Sequence, residues 1–223
     1  MCGRFTQRAK KADIRTLFDV EYLGPFIAPR YNVAPTQPAL VVRLDLQARR
    51  EVLPMRWGLV PHWAKDIAIG NKMINARSET AHEKPSVKNA LRRRRCLVPV
   101  NEFYEWEKLA GTKQPYAISM ADEALFALAG LWEHWQDDQG NELETFTILT
   151  TSANELIGEL HDRMPVIIDR ENFPAWLDHA TEDTDVAREL CRPYPSELMM
   201  HRPVSRYVNN ARHEGPACLE APA

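Results

Sequence analysis

The chain lacks any apolar run of the roughly 18 residues a membrane-spanning helix needs, and its opening, MCGRFTQRAK, lacks the apolar stretch of a secretory signal. A cytoplasmic protein is expected, nucleoid-associated if bacterial, with no membrane contact. Cysteine is scarce: Cys2, Cys96, Cys191 and Cys218 lie far apart with no C-x-x-C, so neither a zinc site nor a disulfide framework is suggested. The seven histidines contain no H-x-x-x-H pair. G-x-x-x-x-G-K-[ST], G-x-G-x-x-G and G-x-S-x-G are absent as well, so the metal, P-loop, dinucleotide and serine-hydrolase readings fall away. No cofactor is expected. Glycine is sparse too, nine residues with no Gly/Ser-rich linker and no repeat. One domain over 1–223 is expected, with a core of about 2–210 and a short C-terminal tail.

What is present is ordinary globular material. Hydrophobic residues make up 44% and charged residues 26%, which excludes wholesale disorder, collagen and coiled coil, and 223 residues can bury a core without staples. The net charge of -3 conceals an asymmetry: residues 1–100 carry 19 Lys/Arg against 8 Asp/Glu, whereas 101–223 carry 9 against 23. The basic half offers a phosphate-binding surface, unless folding interleaves the halves.

Spacing of Ile14, Leu17 and Phe18 predicts a short helix. Strand patterns cover 39–44, 51–58, 95–100, 103–107, 115–120, 125–135 and 145–151. Helices are expected at 85–92, at 152–160 behind a Ser152/Glu155 capping box, and over 171–191. Many strands without regular βαβ alternation predict an α+β fold, an antiparallel barrel-like sheet core flanked by short helices.

Chemistry concentrates around Cys2. Trimming of the initiator methionine before a small side chain would leave Cys2 with a free amine and thiol, whose reference pKa values of about 7.7 and about 8.5 make both partly nucleophilic at neutral pH. Such a pair converts an aldehyde first to a Schiff base and then to a thiazolidine; alternatively it attacks an amide, as N-terminal hydrolases do. Asn75 in MINAR can orient an amine, Glu105 in FYEW is a partly desolvated proton carrier, and His161 in LHDRMP titrates near working pH. Each has a plain structural alternative: a turn Asn, a salt-bridged Glu, a surface His. Arg4 and Arg77 lie two residues from Cys2 and Asn75 and suit phosphate contacts, while Trp63 can stack on a base or sit in the core. The run Arg92–Arg95 reads as a solvated helix end.

MCGRF, YNVAPTQ, WGLVPHW, INARSET, RCLVPVNEFYEW, QPYAI, FALAGLWE, FTILTTSAN, HDRMPVII and PVSRYVNN occur in this order over residues 2 to about 210. The ordered set resembles the SRAP family of abasic-site processing proteins and implies the SRAP fold. The resemblance implies a DNA-damage enzyme whose N-terminal Cys2 crosslinks to the aldehyde of an abasic site in single-stranded DNA as a thiazolidine. Autopeptidase, crosslink-reversal and lyase activities accompany that implication. Catalytic roles fall to Cys2, Asn75, Glu105 and His161, and strand contacts to Arg4, Arg77, Trp63, Thr151 and Arg163. Single-stranded DNA with abasic sites is the expected partner, the replication machinery a further one, and the chain a monomer. Glu102 departs from the glycine common in the family just before FYEW. A peptide amidohydrolase and a non-catalytic strand-binding module are the alternatives, separated by whether an aldehyde-bearing oligonucleotide gives a Cys2-dependent adduct.

Overall fold

A computed structural model describes residues 2–25, 27–109, 111–180 and 184–222. Its strands are β1 (Phe5–Gln7), β2 (Tyr22–Leu23), β3 (Arg30–Val33), β4 (Pro38–Leu44), β5 (Arg50–Trp57), β6 (Asn75–Arg77) and β7 (Arg95–Val100). These continue with β8 (Phe103–Leu109), β9 (Thr112–Met120), β10 (Phe126–Gln136), β11 (Glu142–Ser152), β12 (Arg163–Pro165), β13 (Ile167–Ile168) and β14 (Met199–Pro203). The short α-helices are α1 (Lys11–Phe18), α2 (Lys88–Arg93), α3 (Glu155–Gly158), α4 (Phe173–Leu177) and α5 (Asp185–Glu189).

Five strands close on themselves in the order β5-β4-β7-β10-β11, all antiparallel until β11 returns to β5 in parallel through Thr145↔Arg56 and Phe146↔Trp57. A five-stranded antiparallel sheet, β14-β9-β8-β1-β3, packs beside this barrel. The α+β, barrel-based architecture expected from the sequence is therefore the one observed. Apolar runs rather than alternation mark the barrel strands because both faces are covered. Ala39 and Val41 of β4, Cys96 and Val98 of β7 and Leu128 of β10 join one buried cluster with Phe5, Trp57 and Phe103. Leu40, Val42, Leu97, Ala127 and Ala129 point the other way, into a cluster with Ile14, Phe18, Phe173 and Trp176 of the helices.

The seven strand predictions hold: 95–100 keeps its bounds, and the other six shift by at most three residues at either end. Three helix predictions need correction. The helix expected over 152–160 is confined to Glu155–Gly158; Ser152 still belongs to β11, and Asn154 caps by accepting from Ile157 N at 2.9 Å. The helix at 85–92 starts only at Lys88. The acidic stretch 171–191 is not one helix: Asp178 leaves α4 in an extended conformation, and α5 begins at Asp185. Arg95, expected on a solvated helix end, is 4% exposed. Its guanidinium donates to the carbonyls of Leu91, Arg92 and Trp176 at 2.6–3.2 Å, closing α2 from inside. Beyond residue 210 the chain stays packed: Cys218 is fully buried, and Glu214 accepts from Arg30 Nε at 2.8 Å and from Tyr31 N at 2.9 Å. No helix among the described residues is long and apolar enough to cross a membrane.

Candidate active site

Cys2 reaches its place by strand pairing. Phe5 of β1 lies opposite Phe103 of β8, and Tyr104 N donates to Arg4 O at 3.0 Å, so the segment before β1 runs back along β8 toward Glu105. Glu102 fixes this corner. Its buried carboxylate takes Arg8 Nη2 at 2.5 Å and the Thr6 hydroxyl, while Thr6 N donates to Glu102 O at 2.8 Å. The Glu102 side chain thus pins β1 to β8.

Cys2 is fully buried, with Sγ 3.8 Å from the Arg4 carbonyl. Burial, and next the Glu105 carboxylate, push its thiol well above the usual range, so it rests protonated. Asn75 enters from the barrel side: β6 pairs in parallel with β11 through Ile148↔Asn75, and Asn75 Nδ2 donates to the Cys2 carbonyl at 2.8 Å. Asn75 Oδ1 is buried and accepts no hydrogen bond among the described residues. Glu105 is 3% exposed; burial raises its carboxyl pKa, and the charge of Asp162 adds to the rise. One electrostatic neighbourhood thus joins Cys2, Glu105 and the loop bearing Asp162.

That loop follows α3. His161 N donates to Ile157 O at 2.9 Å, which ends the helix and leaves the ring a third exposed. Arg163 N donates to His161 Nδ1 at 3.0 Å, and Asp162 Oδ1 lies 2.8 Å from the same nitrogen. All four residues picked from the sequence stand on elements that converge here. Cys2 is linked directly to Asn75, and Glu105 by charge to Cys2 and to Asp162.

The strand-contact candidates divide. Arg77 is exposed at the end of β6, and Trp63 is 52% exposed in the loop between β5 and β6. Arg4 is largely committed: Nη1 donates to Asn32 Oδ1 at 2.8 Å and to Val208 O at 2.9 Å, and the guanidinium lies 5.9 Å from the Trp106 ring. Arg163 is held by Glu79 and by the Thr150 carbonyl. Thr151 is 4% exposed, its hydroxyl donating to Cys191 O at 3.4 Å. Sequence reasoning missed Asn32 and Glu79. Asn32 is fully buried under Arg4 and donates to the carbonyls of Val208, Asn210 and His213. No local signal marks it, because its partners lie about 180 residues away. Among the described residues, no group of three or more His, Cys, Asp or Glu is arranged to hold a metal ion.

Comparison with known proteins finds relatives over nearly the whole chain. Residues 1–211 match the family described as SOS response associated peptidase (SRAP). The abasic site processing protein YoqW of Bacillus subtilis is 44% identical over 99% of this chain and 100% of its own. The abasic site processing protein HMCES of Gallus gallus is 36% identical over 86% of this chain and 66% of its own. A crystal structure of a protein from Bacteroides thetaiotaomicron superposes with a TM-score of 0.86 at 26% identity, covering 99% of each chain.

Proposed function

The chain belongs to the SRAP family, and from that premise we propose that it processes abasic sites in single-stranded DNA by covalent capture through Cys2. The observation that carries the reading is the burial of Cys2 between the Asn75 amide and the Glu105 carboxyl, a proton carrier beside a thiol. The names of the relatives supply the substrate class.

Capture requires the α-amine of Cys2, so the residue ahead of it must be removed. The amine then adds to C1′ of the ring-opened deoxyribose, giving a carbinolamine. Glu105, whose raised pKa favours the acid form, protonates the departing hydroxyl; water leaves and an imine forms. The imine nitrogen keeps its proton; the Glu105 carboxylate next takes the proton from Sγ as sulfur attacks the carbon of this protonated imine, which leaves the ring nitrogen neutral. The balance is aminothiol plus aldehyde to thiazolidine plus water. A protonated, buried thiol supports this order, with the amine first and sulfur second. Asn75 Oδ1 can accept from the amine while Nδ2 holds the Cys2 carbonyl. His161 opens the sugar ring by moving the proton between its ring oxygen and hydroxyl. Run backward, the same proton carriers reverse the crosslink. Arg77 and Trp63, the exposed members, supply phosphate and base contacts, whereas Arg4, Arg163 and Thr151 are engaged by partners within the fold.

The test is incubation of the chain bearing a free Cys2 amine with a single-stranded oligonucleotide carrying one abasic site. Wild type should give a heat-stable adduct, and Cys2→Ala only an imine that borohydride traps. A heat-stable adduct from Cys2→Ala at the wild-type rate would exclude the thiol and the mechanism with it.

A further inference from the structure

One chain of contacts has no duty in the steps above. Glu79, in the turn after β6, accepts a bidentate fork from Arg163, Nη1 to Oε1 at 2.7 Å and Nη2 to Oε2 at 2.8 Å. The same Nη2 donates to the Thr150 carbonyl at 2.6 Å, on the strand that lies between β6 and β12. The fork therefore ties the strand of Asn75 to the strand that opens with Arg163. Such planar pairs fix geometry as well as charge. The Arg163 side chain is 13% exposed, so solvent competes little for it. The hydrogen bond from Arg163 holds the Glu79 carboxyl below its ordinary range, ionised at neutral pH.

The backbone of Arg163 acts on His161. Its N–H donates to Nδ1 at 3.0 Å, and a nitrogen that accepts carries no proton, so the neutral ring keeps its proton on Nε2. Asp162 competes from 2.8 Å, since its Oδ1 needs Nδ1 as a donor. One nitrogen thus has two arrangements: accepting from Arg163 in the neutral ring, or donating to Asp162 in the charged one. Among the described residues, the charged groups around this loop are Asp162 itself, Arg163 and Glu79, Arg77 acting on Glu79, Glu105 across from Asp162, and Glu159 at the end of α3 with its partner His201.

We propose that Glu79 is a positioning residue for crosslinking: by bracing Arg163 it keeps the backbone N–H on His161 Nδ1, so that His161 exchanges its proton with the sugar through Nε2. This deepens the reading given under the proposed function and rests on it. Without the brace, Asp162 captures Nδ1 and the ring retains its second proton to higher pH.

Nitrogen-15 NMR of the His161 ring tests this in the full chain bearing a free Cys2 amine, alongside crosslinking time courses against pH. Wild type above the ring's titration should show an acceptor-type Nδ1 and a protonated Nε2. Glu79→Ala should shift the ring toward the other tautomer, move its titration to higher pH and slow adduct formation roughly tenfold, with little change in affinity for undamaged strand. Glu79→Gln, which keeps one acceptor oxygen, should fall between. Glu79 is half exposed, so both variants should fold. A wild-type tautomer and titration curve in Glu79→Ala, while wild type forms adduct normally, overturns this proposal alone. A wild type that forms no adduct overturns the abasic-site reading and the proposal together.

Discussion

At the scale of single residues, the site is built from groups that resist ionising. The Cys2 thiol and the Glu105 carboxyl are both raised by burial, and each charge would oppose the other. A folded-state pKa above the ordinary carboxyl value of 4.5 means that the native state holds this proton longer than the unfolded chain does. The stabilising contribution of Glu105 is complete below the unfolded value and lost as pH rises through the folded one. Glu105→Gln should therefore gain stability over wild type as pH rises through that range, read as melting temperature against pH, while crosslink formation and reversal slow together by 10²–10⁴-fold. Wild-type rates in the variant would leave Glu105 a structural role and pass the proton to His161. That Cys2, Asn75, Glu105 and the loop of His161 should meet was an expectation of the ordered motifs, since each residue taken singly had a plain structural alternative; the meeting itself is in the structure. The commitments of Arg4 and Arg95 were not legible: Arg4 bonds to Asn32 and Val208, 28 and 204 residues away, and no local pattern carries that information.

At the scale of elements, the long strands were legible because apolar runs bounded by turn residues have few other folds open to them. The three-residue β6 was not, since its pairing is lent by β11 and its own sequence shows no period. Yet β6 brings Asn75 to Cys2, and the path to it depends on two glycines. Gly58, at φ +119°, and Gly70 lie back to back: a Cβ on either would meet the carbonyl oxygen of the other at 2.5 Å. Their contact folds the loop bearing Trp63 against the barrel just before β6. Gly70→Ala must push backbone against backbone, so a loss of about 1–3 kcal/mol is expected in chemical denaturation, with slower adduct formation as Asn75 shifts. Unchanged stability would show that the loop adjusts freely and does not set the position of β6.

At the scale of the whole molecule, part of the charge asymmetry along the sequence is neutralised in space. Arg8 pairs with Glu102, Arg30 with Glu214, Arg43 with Glu144 and Arg94 with Glu133, each joining the basic half to the acidic half. Arg77 is exposed and stands in none of these pairs, so Arg77→Ala should flatten the salt dependence of strand binding by about 0.7 in the log–log slope, as one lost contact to a single strand would. Equal slopes for variant and wild type in a salt titration would take Arg77 out of the interface. The same folding together of distant segments bears on how the protein is made. Cys2 is sealed only when β1 gains β8, encoded about 100 residues later, because β1 and β3 alone form a marginal pair. At roughly 5–20 residues per second of translation, the nascent N-terminus stays open for on the order of 5–20 s. Under the proposed function, a peptidase that bares the Cys2 amine would have that interval to act, before the sheet closes over the N-terminus.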